Sequence, residues 1–454
     1  LLALCAFAGS AAWADDEPDP RDLFLPDGFP ELTEKQKKLS DVPFAEGASA
    51  AVLLEARQIE WDEGLKFRRI HYHRRVKILT EDGIEDHGDL ELRLWGEWRV
   101  KKVEARTVLP DGTVVDAEDG IFREEAEERG EQQIRVAFPK VSKGAILDFH
   151  MEYTTNPWFV RPWRVQGFLP VIDSRLILVP PRGLRFRTHV QGFPPEKNQP
   201  LKARFGRGHG YVYRFQNVEP IEPEPHMPPV ADVAKQMLVI VERFRNASTY
   251  IGLASDWETY GGLLHDYWED WIDESSSDAE KLAKQVAGEL QDPVAKAEAI
   301  RRALRERIRV EMMWNGTLHD SPDETLEKGY GASGDIAGTA VAMLRALDVE
   351  AVPAEFRRRT AGSIPREVPI PALLNDALVK IDTGQGPVFF SPASDMEAGL
   401  LPWDSTGVLA VPAEEELAEP LLIPDLPADQ NKIVTKTTAQ LQPDGTLVAD
   451  TTLT

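Results

Sequence analysis

The sequence predicts a multidomain chain: an all-β N-terminal domain, then an α+β core, then the start of a further β domain. Three observations carry this. Between Ala51 and Val218 apolar and polar residues alternate with period two, as in Phe67-Arg-Arg-Ile-His-Tyr-His-Arg-Arg-Val-Lys-Ile78, with turn signals at Glu81-Asp-Gly83, Pro110-Asp-Gly112 and Pro180-Pro-Arg-Gly183. Over Ala279–Leu290, Val294–Val310 and Ile336–Leu347 the apolar residues fall instead at i, i+3, i+4, among Ala, Leu, Arg and Glu, and read as helices. Alternation then resumes at Ala351–Arg357, Ala377–Ile381 and Pro387–Phe390, and once more from Ile433.

In chain order, residues 1–14 are an apolar run ending in Ala12-Trp13-Ala14 before Asp15-Asp16, the h-region and cleavage site of a secretory signal whose basic start would lie upstream. Residues 15–50 are rich in Pro and charge and read as an extended leader with a short helical patch at Glu34–Leu39. The β domain spans 51–218, a sandwich or barrel of short strands. Residues 219–235 contain Glu219-Pro-Ile-Glu-Pro-Glu-Pro-His-Met-Pro-Pro229, which cannot run as a helix and reads as a semi-rigid linker. The core occupies 236–411, a second acidic, Pro-bearing linker 412–431, and the last β unit begins at 432–454, where a Pro443-Asp-Gly445 turn leads into a strand expected to continue past Thr454.

With 52 Lys+Arg against 76 Asp+Glu the 454-residue chain carries a formal charge of −24. Neutralising phosphates needs clustered cations, so a nucleic-acid partner is not expected. Adhesion to anionic lipid is disfavoured for the same reason, and no stretch approaches the roughly 18 apolar residues of a membrane span. The single cysteine, Cys5, lies in the signal segment. The mature chain is therefore expected to be exported to the periplasm without a thiol, hence without disulfides, thiolate metal sites or a cysteine nucleophile.

Thr325-Leu-Glu-Lys-Gly-Tyr-Gly-Ala-Ser-Gly-Asp-Ile-Ala-Gly338 and Ala342-Met-Leu-Arg-Ala-Leu-Asp-Val-Glu-Ala-Val-Pro353 resemble the core of bacterial transglutaminase-like (papain-like) proteins, with Tyr330, Gly331, Asp335, Ala337, Leu344, Arg345, Ala346 and Leu347 matching the family pattern. Leu109-Pro-Asp-Gly-Thr-Val114 and Phe138-Pro-Lys-Val-Ser-Lys-Gly-Ala-Ile-Leu147 resemble the domain of unknown function that precedes such cores in exported bacterial proteins. The resemblance covers most of residues 50–410. It implies a Cys at a helix N-terminus, a His that shuttles the proton and an Asp that orients the His. Here Ser333 stands at the Cys position, Asp376 at the His position in Leu374-Asn-Asp-Ala377, and Ser391 at the Asp position in Phe389-Phe-Ser-Pro-Ala393. None of the nine histidines (71, 73, 87, 150, 189, 209, 226, 265, 319) follows Ser333, so no shift of alignment restores the base.

An alcohol is harder to deprotonate than a thiol and needs a positioned base of near-neutral pKa, which an ordinary carboxylate is not. We therefore expect Ser333 to act as an N-cap for the helix near Asp335, and the domain to be a pseudoenzyme that serves as a protein- or peptide-binding scaffold. Trp314, Tyr330, Ser333 and Asp376 would line what remains of the cleft. The alternatives are an active amidase or peptidase rebuilt around Ser333, and a purely structural spacer between β domains. His71, His73 and Asp86-His87-Gly88-Asp89 offer imidazoles and carboxylates without a diagnostic metal spacing, and the expectation is no metal. No phosphate-binding loop or dinucleotide fingerprint occurs, so no cofactor is expected. The acidic run Glu124–Glu131 reads as a solvated face, and Trp257, Tyr260, Tyr267, Trp268 and Trp271 as helix packing rather than a carbohydrate platform.

Overall fold

The computed structural model describes residues 19–95, 98–126, 131–245, 250–312, 318–427 and 434–453; the signal segment, residues 127–130 of the acidic run and Trp314 lie outside the described residues. The chain divides into two units, one ending at Leu253 and the other beginning at Ala254.

The first unit runs α1 (Glu34–Lys38), β1 (Ala50–Trp61), β2 (Arg68–Ile78), α2 (Asp82–His87), β3 (Asp89–Trp95), β4 (Arg99–Val108), β5 (Val114–Asp116), β6 (Ile121–Ala126), β7 (Glu131–Ala137), β8 (Ile146–Thr155), β9 (Trp163–Arg164), β10 (Val171–Val179), β11 (Leu184–Gln191), β12 (Leu201–Phe205), β13 (Gly208–Val218), α3 (Val230–Val233), β14 (Gln236–Arg245) and β15 (Tyr250–Gly252). Eight strands form one sheet in the order β12-β13-β10-β1-β2-β8-β4-β5, antiparallel except where β1 meets β10. Smaller sheets are β3-β7-β6 and β11-β14-β15, with β9 paired to β14. Alternation puts Ile70 and Val76 of β2, Phe149 and Met151 of β8, and Ile59 of β1 into the main core.

That core also contains Met237, Val239, Val241 and Phe244 of β14. The boundary expected at 235/236 is therefore displaced: the Pro-rich segment is a loop that returns the chain to the β domain, and residues 236–253 complete this unit rather than opening the next. The leader is also not a free tether. Leu23 and Val42 are buried. Leu25 N donates to Gln58 Oε1 at 2.9 Å, and Lys77 Nζ to the Lys37 carbonyl at 2.8 Å. Short apolar residues among the prolines anchor the segment to the outer face of the large sheet.

The second unit comprises α4 (Trp257–Glu274), α5 (Ser277–Ala287), α6 (Pro293–Arg307), β16 (Arg309–Met312), α7 (Pro322–Lys328), β17 (Tyr330–Ala332), α8 (Ser333–Arg345), β18 (Ala351–Phe356), β19 (Asp376–Asp382), β20 (Pro387–Phe390), β21 (Leu409–Pro412), β22 (Leu421–Leu422), β23 (Thr435–Leu441) and β24 (Leu447–Leu453). The five-stranded antiparallel sheet has the order β20-β19-β18-β21-β22. Helix α8 is apolar nearly all round and buried from Ser333 to Leu344, the pattern of a central rather than a surface helix. Residues up to 427 of the expected second linker belong to this unit: β22 pairs with β21, and Leu417 and Ile423 are buried. Helix α4 accommodates that segment through Gly261, where a Cβ would come within 2.4 Å of Leu417 Cβ. Strands β23 and β24 form an antiparallel hairpin exposed along its length.

Candidate functional site

The site is assembled where the α7–α8 segment meets the first residue of β19. A reciprocal cap between Ser321 and Glu324 starts α7, and Gly329 ends it with φ 69°, a left-handed C-cap that glycine adopts without strain. The chain then pairs with β16 over Tyr330–Ala332 and enters α8. Asp335, in the first turn of α8, accepts from Ala332 N at 3.0 Å and from His319 N at 2.9 Å. One carboxylate thereby fixes both the helix start and the preceding loop, and its charge sits at the favourable end of the helix dipole. Burial pushes the Asp335 carboxyl above its ordinary range, against the pull of these amides.

Ser333 is not the N-cap. Ala332 holds that position and Asp335 supplies the oxygen, so the expected role of the serine is corrected. Instead Ser333 Oγ donates to Asp376 Oδ1 at 2.6 Å. The same oxygen accepts Ala377 N at 2.9 Å, and Asp376 Oδ2 is paired with the Arg358 guanidinium. Arg358 also holds Asp404 Oδ2 at 2.7 Å, and its own backbone N–H donates to Asn375 Oδ1 at 2.9 Å. The result is a hydrogen-bonded chain Ser333–Asp376–Arg358–Asp404. Burial raises the Asp376 carboxyl, while the Arg358 charge and the Ser333 hydroxyl draw it back down.

Ser333 and Asp376 are each 2% exposed, so neither forms part of an open cleft wall. Tyr330 is 46% exposed. Of the four residues expected to line a cleft, the structure thus joins two and buries both, places Tyr330 at the surface, and leaves Trp314 undescribed. Ser391 follows β20, half-buried in a turn where its carbonyl accepts Ser394 N at 3.1 Å. Among the described residues its side chain makes no hydrogen bond to Ser333 or Asp376. The two histidines of this unit lie elsewhere: His265 Nδ1 is 3.3 Å from the Ala413 carbonyl, and His319 is exposed and engages Asp335 through its backbone.

Sequence reasoning missed Arg358 and Asp404. The run Arg357-Arg-Arg359 reads as an exposed basic stretch, and only the pairing of β18 with β19 brings its middle member against Asp376. The aromatic cluster serves as scaffold. Trp271 Nε1 donates to the Asp320 carbonyl at 2.8 Å and Tyr267 Oη accepts Leu318 N at 2.9 Å, which holds the loop before α7. Tyr260 and Trp268 both donate, at 3.1 Å, to Glu355 beneath the sheet. Among the described residues no three His, Cys, Asp or Glu side chains converge as a metal cage requires.

The order of elements around Ser333 has its counterpart in sequence: residues 280–360 match the transglutaminase-like superfamily. The second unit carries a transglutaminase-like domain. Residues 68–222, most of the large β sheet, match DUF3857, a domain of unknown function with a solved structure. A solved structure of a protease candidate from Parabacteroides distasonis is similar in fold, with TM-score 0.65 at 14% identity, over 87% of this chain and 77% of that one. No curated protein matches the chain. In the transglutaminase-like domain, Ser333 begins the buried central helix and Asp376 begins the strand beside it, the places where the sequence resemblance expects the nucleophile and the base.

Proposed function

We propose that the transglutaminase-like domain is catalytically silent and serves an exported protein as a scaffold for a protein or peptide partner. The observation that carries this reading is the Ser333–Asp376–Arg358 chain. Covalent acyl transfer needs a nucleophile that loses its proton to a base. Here the hydroxyl proton rests on a carboxylate whose other oxygen is compensated by a guanidinium, and both partners are sealed from substrate. Burial raises the Asp376 carboxyl, and the Arg358 charge and the hydrogen bonds it accepts oppose that rise; a carboxylate held in an ion pair in this way is a poor base for an alcohol.

The test is an assay of the purified chain against peptide amides, with and without a primary amine acceptor. No turnover above blank is expected, and Ser333→Ala is expected to change nothing but stability. Turnover that disappears in Ser333→Ala would establish the rebuilt hydrolase instead. The export part of the reading rests on the apolar run and Ala12-Trp13-Ala14. Fusion of the natural leader to a reporter active only outside the cytoplasm should give signal, and a silent reporter would remove it.

A further inference from the structure

Strands β2, β8 and β4 lie side by side, and their register aligns transverse rows of residues on the outer face of the large sheet. Arg69, Thr154 and Arg99 make one row; His71, Glu152 and Lys102 the next; then His73, His150 and Glu104; then Arg75, Asp148 and Arg106. Directly opposed residues share a face, so these rows form one continuous polar surface.

The leader covers one end of it. Arg75 donates to the Pro30 carbonyl at 2.6 Å and the Glu31 carbonyl at 3.2 Å, and the Arg106 guanidinium lies 4.1 Å over the Phe29 ring. The other end is open. A cleft of about 840 Å³ lies over the Arg69 row, within the range of about 300–1,000 Å³ typical of ligand sites, and a second of about 220 Å³ adjoins it through Arg99 and Gln132. Among the described residues, Lys66, Arg69, Arg99 and Lys101 line the larger cleft against one carboxylate, Glu152, which lies 3.4 Å from Arg69. Among the described residues Lys66, Arg99 and Lys101 have no ion-pair partner.

We propose that this cleft binds an extended acidic peptide segment. Three cations without ion-pair partners among the described residues, beside Arg69, are conspicuous in a chain of net charge −24, and like charges so placed repel until an anion joins them. The overall charge repels densely charged polyanions at long range, and a concave floor does not fit a planar lipid surface, whereas spaced carboxylates can reach each cation singly. Arg69 and Arg99 stand on strands two apart, about 10 Å between backbones. A peptide crossing the strands as an extended polyproline II helix, three residues per turn, brings side chains i and i+3 to one face about 9 Å apart. Each guanidinium can take a carboxylate bidentately. Thr154 and Asn156 offer neutral hydrogen bonds between the charges, and Phe67, 40% exposed at the rim, offers an apolar contact. The floor is rigid sheet, since Trp98 stacks on Tyr153 at 4.4 Å.

Fluorescence anisotropy of a labelled peptide with glutamate at every third position and neutral residues between, titrated with the full chain, tests this. Saturable binding that weakens with salt is expected, and Arg99→Glu with Lys101→Glu should weaken it by about tenfold or more at an unchanged unfolding midpoint. If the reversal variant misfolds, Arg99→Gln with Lys101→Gln gives the same readout with a smaller loss. Absence of saturable binding at low salt, or binding indifferent to both pairs of substitutions, overturns the proposal. So does tight binding of polyphosphate, a sulfated glycan or anionic vesicles by a chain that leaves the peptide free.

Discussion

Glu355 sits buried on β18 with Tyr260 Oη and Trp268 Nε1 as hydrogen-bond donors and, among the described residues, no cation acting on it. Burial pushes its carboxyl from 4.5 up to about 8, and the two donors recover only part of that cost. Below pH 4.5 the group is protonated folded and unfolded, so the stability it permits is fully present. Between 4.5 and about 8 the unfolded chain releases the proton while the folded one keeps it, and stability falls; above that it is flat. At about 1.4 kcal/mol per unit the shift corresponds to about 5 kcal/mol across the window. Glu355→Gln cannot ionise, and the variant should therefore gain on the wild type steadily from acid to pH 8. Hydrogen-exchange protection of α8, measured from pH 5 to 8 after correction for intrinsic rates, reports this unit without mixing in the other. Parallel pH profiles for the two proteins would refute the buried, neutral Glu355.

Asp376→Asn should destabilise the second unit by about 3–5 kcal/mol, because it breaks the buried pair with Arg358, and Ser333→Ala by about 1–2 kcal/mol; urea unfolding checks both. In the first unit, burial and the neighbouring His73 and His71 push His150 down to about 4. Its contribution is present above the ordinary histidine value of 6.5 and is lost as the pH falls through about 4, and the acid limb of the unfolding midpoint should flatten in His150→Gln. Phe29→Ala removes the ring that Arg106 covers and should open the leader to limited proteolysis within residues 26–44 while β2 and β8 stay protected.

Period alone made most elements legible. The alternation in Phe67–Ile78 gave β2 within a residue, and the three i, i+3, i+4 stretches became α5, α6 and α8. What misled were prolines and charge. Glu219–Pro229 has the composition of a linker, yet it is a loop whose following strand, β14, fills the β-domain core; the apolar run Met237-Leu-Val-Ile-Val241 carried that information, but not which sheet it would join. The acidic residues of 412–427 likewise masked Leu417 and Ile423, which bury themselves singly. At the site, Ser333 and Asp376 were legible through resemblance. Arg358 and Asp404 were not, because an ion pair between a post-strand loop and a distant turn leaves no spacing to read.

On the proposed reading, in which Ser333 and Asp376 stand where the resemblance expects the nucleophile and the base, the replacements would follow from one another chemically. A cysteine exchanged for serine at a buried helix start leaves a strong hydrogen-bond donor that must find an acceptor. Asp376 provides one at 2.6 Å, but a carboxylate 2% exposed is costly unless a cation joins it. Arg358 joins it, and Asp404 in turn takes the other arm of the guanidinium. Restoring one family residue alone should therefore not restore chemistry. Ser333→Cys would place a thiol against a carboxylate, which raises the thiol pKa where catalysis needs it lowered. The expected outcome is a chain that reacts more slowly with a thiol-modifying reagent than a free cysteine does, and that gains no amide turnover. A Ser333→Cys variant with a fast-reacting thiol at neutral pH would mean that Asp376 does not hold this position as described, and that the closed Ser333–Asp376–Arg358 chain opens in solution.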